Sequence, residues 1–387
     1  MVTWGEVGDA SDRRLPVLAY DAASRGFAAE AAAGRHAGVL ERLFEPGRLL
    51  FKKIDSTLRG QPAAETAVAL AHLKSRSGSA FGVFAPAFPA TGRTTVDGRV
   101  LVNGRALEQA EVWQRDHSYP NADLADVLAT AGIRSVKVKL ATVRGGDLRA
   151  TFAGLAGEGD MIAVCDAETD RDLHLIAEAS MPASSATFFI GSAGLAHALA
   201  GLEAGDAAAA PRLTASASGT LIVVGSLAGA SRSAARELEA TGTVKHFPVA
   251  TQTLLDGGAG QGSLAADVMQ RLSGGGDALI EITMDGQLDL SLGPRLSLAL
   301  ADVLRSVGPA IGALAATGGE TAAVLLSRLG VNGIRLADEI EPGVSLGLTV
   351  GKLTVPVATK AGAFGDKLSL IRMSERLRAA RIKGSFT

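Results

Sequence analysis

The stretch Lys52-Lys53-Ile54-Asp55-Ser56-Thr57-Leu58-Arg59-Gly60 gathers three cations, one carboxylate and two hydroxyls at the end of the apolar run that begins at Leu49. Such a set suits an anionic, hydroxylated ligand. Arginine offers a carboxylate a two-pronged fork, lysine offers phosphate a point charge, and aspartate can orient or deprotonate a hydroxyl. The Asp-Ser-Thr trio also suits an ordinary helix cap, and composition leaves both readings open.

A second loop, residues 85–95, is stiffened by Pro86 and Pro89 and ends on Arg93 flanked by hydroxyls, a pattern that fits either an anion contact or a rigid structural turn. Residues 97–103 continue it like a hairpin. Further along, Thr317-Gly318-Gly319-Glu320-Thr321 joins an apolar run to an Ala/Leu-rich helix. Paired glycines there let backbone approach closely, and the free amides of a helix start attract phosphate. Lys360-Ala361-Gly362-Ala363-Phe364-Gly365-Asp366 sets Gly-rich backbone beside a cation and a carboxylate, as a nucleotide and its metal require. The turns at Gly191-Ser192-Ala193-Gly194 and Gly225-Ser226-Leu227-Ala228-Gly229 serve equally as anion cradles or tight structural turns.

Other chemistries lack their signatures. Residues 347–352 imitate a Walker A loop at too short a spacing, with Leu353 where a magnesium-binding hydroxyl belongs. The histidines, at 36, 72, 117, 174, 197 and 246, show no metal-ligand spacing, and Cys165 has no cysteine partner, so no protein-held metal site is expected. Neither a Gly-x-Ser-x-Gly nucleophile turn nor a Gly-x-Gly-x-x-Gly after a strand is present.

The elements that position these residues follow from periodicity. Short apolar runs at 17–20, 49–53, 81–84, 136–140, 161–165 and 188–190 read as strands, separated by segments of helical composition such as 28–43, 63–74 and 170–179. This alternation predicts an α/β fold with a mostly parallel sheet. Residues 203–219, rich in Ala, Ser and Gly and holding Pro211, read as a linker. Beyond it the alternation resumes through 221–224, 278–282 and 313–316, then ends in paired strands around 347–359 and a helix near 369–382. The prediction is two domains, residues 1–205 and 206–387, each a mostly parallel sheet flanked by helices.

A chain of 387 residues, 47% apolar, supplies core enough for two domains. Its 38 basic and 40 acidic residues leave no broad positive field for nucleic acid or anionic lipid, so a small molecule is the expected partner. A lone cysteine, an N-terminus without a signal-peptide pattern and no run of eighteen apolar residues predict a cytoplasmic protein.

The motifs together resemble the four-carbon acid sugar kinase family. Residues 52–60 match its K-K-x-D-S-T-L-R-G, and residues 85–103 match A-P-A-F-P…G-R-T-T-V-x-G…V-N-G. Cys165-Asp166-Ala167-Glu168-Thr169-Asp170, the two Gly-Ser turns, Gly318-Gly319-Glu320-Thr321 and residues 360–366 follow in the family's order, so the resemblance runs from about residue 16 to about 369. It implies an ATP-dependent phosphotransferase acting with Mg²⁺ on a hydroxyl of a tetronate or 3-oxo-tetronate. It also implies a sugar-acid-binding first domain, an ATP-binding second domain and a site in the cleft between them. Carried over by position, Ser226, Gly318, Gly319, Glu320, Thr321 and Gly362 resemble the ATP contacts. Asp55, Lys53 and Arg59 resemble the catalytic set, and Arg25, Ser56 and Arg93 the acid-binding set. Two departures fall on the substrate side: the family's early D-D-x-T-G-A is absent, and its D-T-E-S-R reads Asp21-Ala22-Ala23-Ser24-Arg25. From these follow two further expectations: a family member that binds nucleotide or acid without turnover, as the competing reading, and a sheet edge open to homodimer pairing.

Overall fold

The computed structural model describes residues 1–4, 15–202, 211–225, 229–256, 258–283, 292–341, 343–360 and 365–386. The chain divides into two compact units, Ala22–Ala207 and a second made of Met1–Asp21 with Ala208–Thr387. The first twenty-one residues thus group with the C-terminal half, where the sequence reading had assigned them to the first domain. The strand expected at 17–20 is Ala19–Asp21, and it pairs in parallel with Val2–Trp4. Val2–Trp4 in turn pairs antiparallel with Val331–Glu341 of the C-terminal sheet. A strand this short carries too little pattern to specify its partner.

In the unit Ala22–Ala207, five parallel strands lie in the order Leu50–Lys53, Thr187–Gly191, Phe81–Ala85, Met161–Cys165 and Ser135–Val138. Phe81–Ala85 and Met161–Cys165 are buried at every position, which is why each reads as an unbroken apolar run. Helices Ala29–Leu43 and Pro62–Ser77 cover one face, over Leu58, Leu73, Phe84 and Phe188. Helices Leu148–Gly157 and Asp170–Ser180 cover the other, over Phe81, Phe152, Ile176 and Phe189. The helix Pro62–Ser77 starts on a proline, whose missing N–H costs nothing in the first turn, and stops at Gly78 with φ 79°. Asp170–Ser180 starts with a capping box between Thr169 and Asp172.

The second unit builds a nine-stranded sheet. Its first five strands, Val244–Ala250, Asp277–Thr283, Thr220–Val224, Ala313–Thr317 and Pro356–Lys360, run parallel. Val344–Gly351 and Val331–Glu341 continue it antiparallel, followed by the two N-terminal strands. Both units are therefore mostly parallel sheets flanked by helices. Residues 211–219 have no regular structure, in keeping with a linker composition. Among the described residues no helix is long and apolar enough to cross a membrane.

Candidate functional site

In the first unit, three loops leave the sheet at one level, because Gly191 is in register with both Lys53 and Ala85. The carboxyl ends of parallel strands are where ligands bind in such sheets. The loop after Lys53 closes around Asp55. Its Oδ1 accepts from the Thr57 amide at 2.9 Å and from Thr57 Oγ1 at 2.5 Å. Its Oδ2 receives Arg59 Nη2 at 2.6 Å and lies 3.5 Å from Arg25 Nη2. Burial pushes the Asp55 carboxyl up, but the hydrogen bonds from Arg59 and Thr57 outweigh it and hold the group below its ordinary range.

The backbone around this cluster is unusual for a reason. Leu58 is fully buried yet sits at φ 60°, a left-handed conformation that a non-glycine residue keeps only where its surroundings enforce it. Gly60, at φ 83°, brings the chain against Arg25, whose Cα lies 3.5 Å from where a Cβ would be. The motif's residue order thus folds Arg25, Asp55 and Arg59 together, with Lys53 exposed beside them and Ser56 in the turn. Arg59 Nε is buried and makes no hydrogen bond within the protein.

Arg93 belongs to a separate hairpin, Arg93–Val96 with Arg99–Val102. Its Nη1 donates to the Thr91 carbonyl at 2.7 Å, while its buried Nε has no protein acceptor. Asp166, 2% exposed, fixes this hairpin by accepting the amides of Asp97 at 2.9 Å and Gly98 at 2.8 Å. The Gly191 turn is structural: a Cβ on Gly191 would lie 2.8 Å from the Ala85 carbonyl, and one on Gly194 2.4 Å from that of Ala87. Ser192 Oγ adds a bond to the Ala87 carbonyl at 2.9 Å.

Sequence reasoning missed a network below the cluster, formed by Ser24, His36, Lys52 and Glu65. Burial again pushes the Glu65 carboxyl up, and the hydrogen bonds from His36, Lys52 and Ser24 together with the charge of Lys52 overcome it, holding the group at about 2. A signal for it existed, since Glu65, Ala69 and Leu73 are spaced by four and place a carboxylate on the buried stripe of a helix. Because the folded-state value lies below the ordinary 4.5, Glu65 contributes stability that is fully present above pH about 4.5 and is lost as pH falls toward about 2. Urea unfolding between pH 6 and 2 is expected to show this decline, with a shallower slope in E65Q.

In the second unit, Gly318 has φ 88° and donates its amide to the Lys360 carbonyl at 3.0 Å. The helix Gly319–Arg328 starts directly after it. Its first intrahelical bond runs from the Ala322 amide to the Gly318 carbonyl, so the amides of Gly319, Glu320 and Thr321 form the open first turn. Gly319 has no atom within 4 Å of a notional Cβ, and Glu320 is exposed. The Thr321 side chain is buried and its hydroxyl is shared with Ser297 at 2.9 Å, leaving its amide as its offering to a ligand. Gly225 approaches this turn so closely that a Cβ would lie 2.1 Å from Thr321 Oγ1. Ser226 and Gly362 lie outside the described residues.

Cross-strand register places Glu281, Val224, Thr317 and Lys360 in one row at the carboxyl ends of four adjacent strands. Thr317 Oγ1 is buried without a partner in the protein. Lys360, 3% exposed, has Nζ 3.5 Å from Ser231 Oγ, and burial lowers its pKa against the raising effect of Glu341. Asp366 is held at 2.6 Å by Arg372, which also donates from Nε to Glu341 at 2.6 Å. An unpartnered hydroxyl and open helix amides around glycine turns fit a nucleotide's phosphates.

Two family models match the chain in succession. A family model described as a sugar-binding N-terminal domain matches residues 2–199, and one described as a nucleotide-binding C-terminal domain matches residues 221–370. The D-threonate kinase of Cupriavidus necator is 43% identical over 365 residues, covering 92% of this chain and 86% of the relative. The D-threonate kinase of Salmonella typhimurium is 32% identical over 384 residues, covering 92% and 88%. A Haemophilus influenzae protein of the family DUF1537 shares the fold, with a TM-score of 0.79 at 19% identity over 97% of this chain and 93% of its own. With both family models matched in order and a close relative along nearly its whole length, the chain belongs to the four-carbon acid sugar kinase family.

Proposed function

We propose that the chain transfers the γ-phosphoryl group of ATP to a hydroxyl of a four-carbon sugar acid, with D-threonate the first substrate to examine. The observation that carries the reading is the Arg25–Asp55–Arg59 constellation at the end of the strand Leu50–Lys53. Arg25 and Arg59 hold the acid's carboxylate, Ser56 and Arg93 complete its contacts, and Lys53 offsets charge gathering on the transferred group. Asp55 serves as the anchor of the two guanidinium groups, since both of its oxygens are already engaged. The acceptor oxygen bonds to the γ-phosphorus as the bond to the departing ADP oxygen breaks, and the hydroxyl proton passes to solvent. A loose transition state of this kind asks little of a base and much of positioning and electrostatics.

The open amides of Gly319, Glu320 and Thr321 receive the phosphates at the turn that Gly318 makes, and Ser226 and Gly362 belong to the same nucleotide set. Mg²⁺ would arrive on those phosphates, keeping several waters and neutralising developing charge, with exposed Glu320 the carboxylate offered to it. A thermal-shift titration with magnesium-ATP, then with D-threonate, D-erythronate and 3-oxo-tetronates, tests the reading. Each genuine ligand at one hundred times its dissociation constant stabilises the fold by about 2.7 kcal/mol, a rise of a few degrees. A response to ATP and to one acid supports it; no response to any acid contradicts it.

A further inference from the structure

The cation cluster stands at the end of Leu50–Lys53, an edge strand that among the described residues is hydrogen-bonded on one side only, to Thr187–Gly191. Edge strands open more readily than central ones. A reactive group carried on one needs a hold from elsewhere.

Glu65 supplies that hold. It is 6% exposed, on the helix Pro62–Ser77. Its Oε1 accepts from Ser24 Oγ at 2.7 Å and its Oε2 pairs with Lys52 Nζ at 2.6 Å. His36 Nε2 lies 3.3 Å from Oε1 and 3.1 Å from Ser24 Oγ. Serine has one proton and gives it to Glu65, so His36 Nε2 faces the Ser24 and Glu65 oxygens as a donor. The three partners come from three segments: the loop before the helix Ala29–Leu43, that helix itself, and the edge strand.

Two of them are the immediate chain neighbours of the site's cations. Ser24 precedes Arg25 and Lys52 precedes Lys53. Consecutive side chains on a strand point to opposite faces, so drawing Lys52 inward to Glu65 turns Lys53 outward. Lys52 is accordingly 12% exposed at its side chain, whereas Lys53 is an exposed residue. We propose that Glu65 is a positioning residue for sugar-acid binding, fixing Arg25 and Lys53 at once by holding the residue before each. The proposal rests on the reading of Arg25, Lys53 and Arg59 as the acid site.

The test compares wild type, E65Q and the double variant K52M/E65Q, all as the full chain. Melting temperature, calorimetric titration with D-threonate in the absence of nucleotide, and steady-state kinetics are measured on each. E65Q strands the buried Lys52 ammonium and lowers the melting temperature; the double variant removes both charges at similar volume and restores it. In the double variant D-threonate is expected to bind about 10- to 100-fold more weakly, the cost of cations displaced by about an ångström. Its KM for the acid rises in step while the KM for ATP stays within about twofold. Wild-type affinity in a refolded double variant overturns the proposal and leaves the network a purely stabilising one. If wild type itself binds neither D-threonate nor another four-carbon acid, the acid-site reading falls, and the role of Glu65 with it.

Discussion

Replacing Asp55 by asparagine is expected to weaken D-threonate binding and to lower kcat/KM for the acid by about 100-fold or more. The amide keeps one acceptor for the Thr57 backbone, but it loses the charge that holds Arg59 at 2.6 Å and Arg25 at 3.5 Å. An amide nitrogen turned toward Arg59 would set donor against donor, and the two guanidinium groups would then repel. Displacement of binding groups by about an ångström is enough for a loss of this size. Were Asp55 instead a general base, its removal would cost about 10²- to 10⁴-fold in kcat and leave binding of the acid in place. Calorimetric titration of D55N with D-threonate, beside its kinetics, separates the two. The lowered pKa of Asp55 favours the anchoring role, because a carboxylate held well below neutrality is a poor proton acceptor.

The second large effect lies in the other unit. Gly225→Ala is expected to abolish the stabilisation by magnesium-ATP and the activity with it, while D-threonate still binds. The new methyl would stand 2.1 Å from Thr321 Oγ1 and 2.6 Å from Thr321 Cβ. Thr321 cannot step aside freely, since it is 4% exposed and its hydroxyl is shared with Ser297. Relief therefore comes from moving the start of the helix Gly319–Arg328, whose open amides are the proposed phosphate contacts. Alanine at a position in ordinary space does no such harm, so Gly262→Ala, with no atom within 4 Å, is the control. Retained ATP binding in G225A would remove the Gly318 turn from the nucleotide site.

The residues proposed to carry the chemistry were legible as candidates because they follow apolar runs, and strand ends are where α/β sheets present ligands. Residues 52–60 and 317–321 both lie at such strand ends, where the residue types alone fit a structural cap or turn as well as a ligand contact. What stayed hidden depends on contacts between distant segments. Glu65 meets Ser24 across 41 positions and Lys52 across 13, and no local pattern records such a meeting. Asp166 was visible as part of a motif, but its work of fixing the hairpin at Asp97 and Gly98 was not. Lys360 read as a cation open to a ligand, yet its side chain is 3% exposed and lies against Ser231. The strand Ala19–Asp21 was recognisable as a strand, while its sheet was not, because three residues cannot encode a partner.

The central claim is a transfer of phosphate to a sugar acid, and the most direct measurement is phosphorus NMR of the purified chain with magnesium-ATP and D-threonate. The account predicts that ATP signals decline as ADP and a phosphate monoester of the acid grow in equal amounts, with no growth when the acid is omitted. ATP that stays unchanged with every four-carbon acid, or that yields only inorganic phosphate, would contradict it.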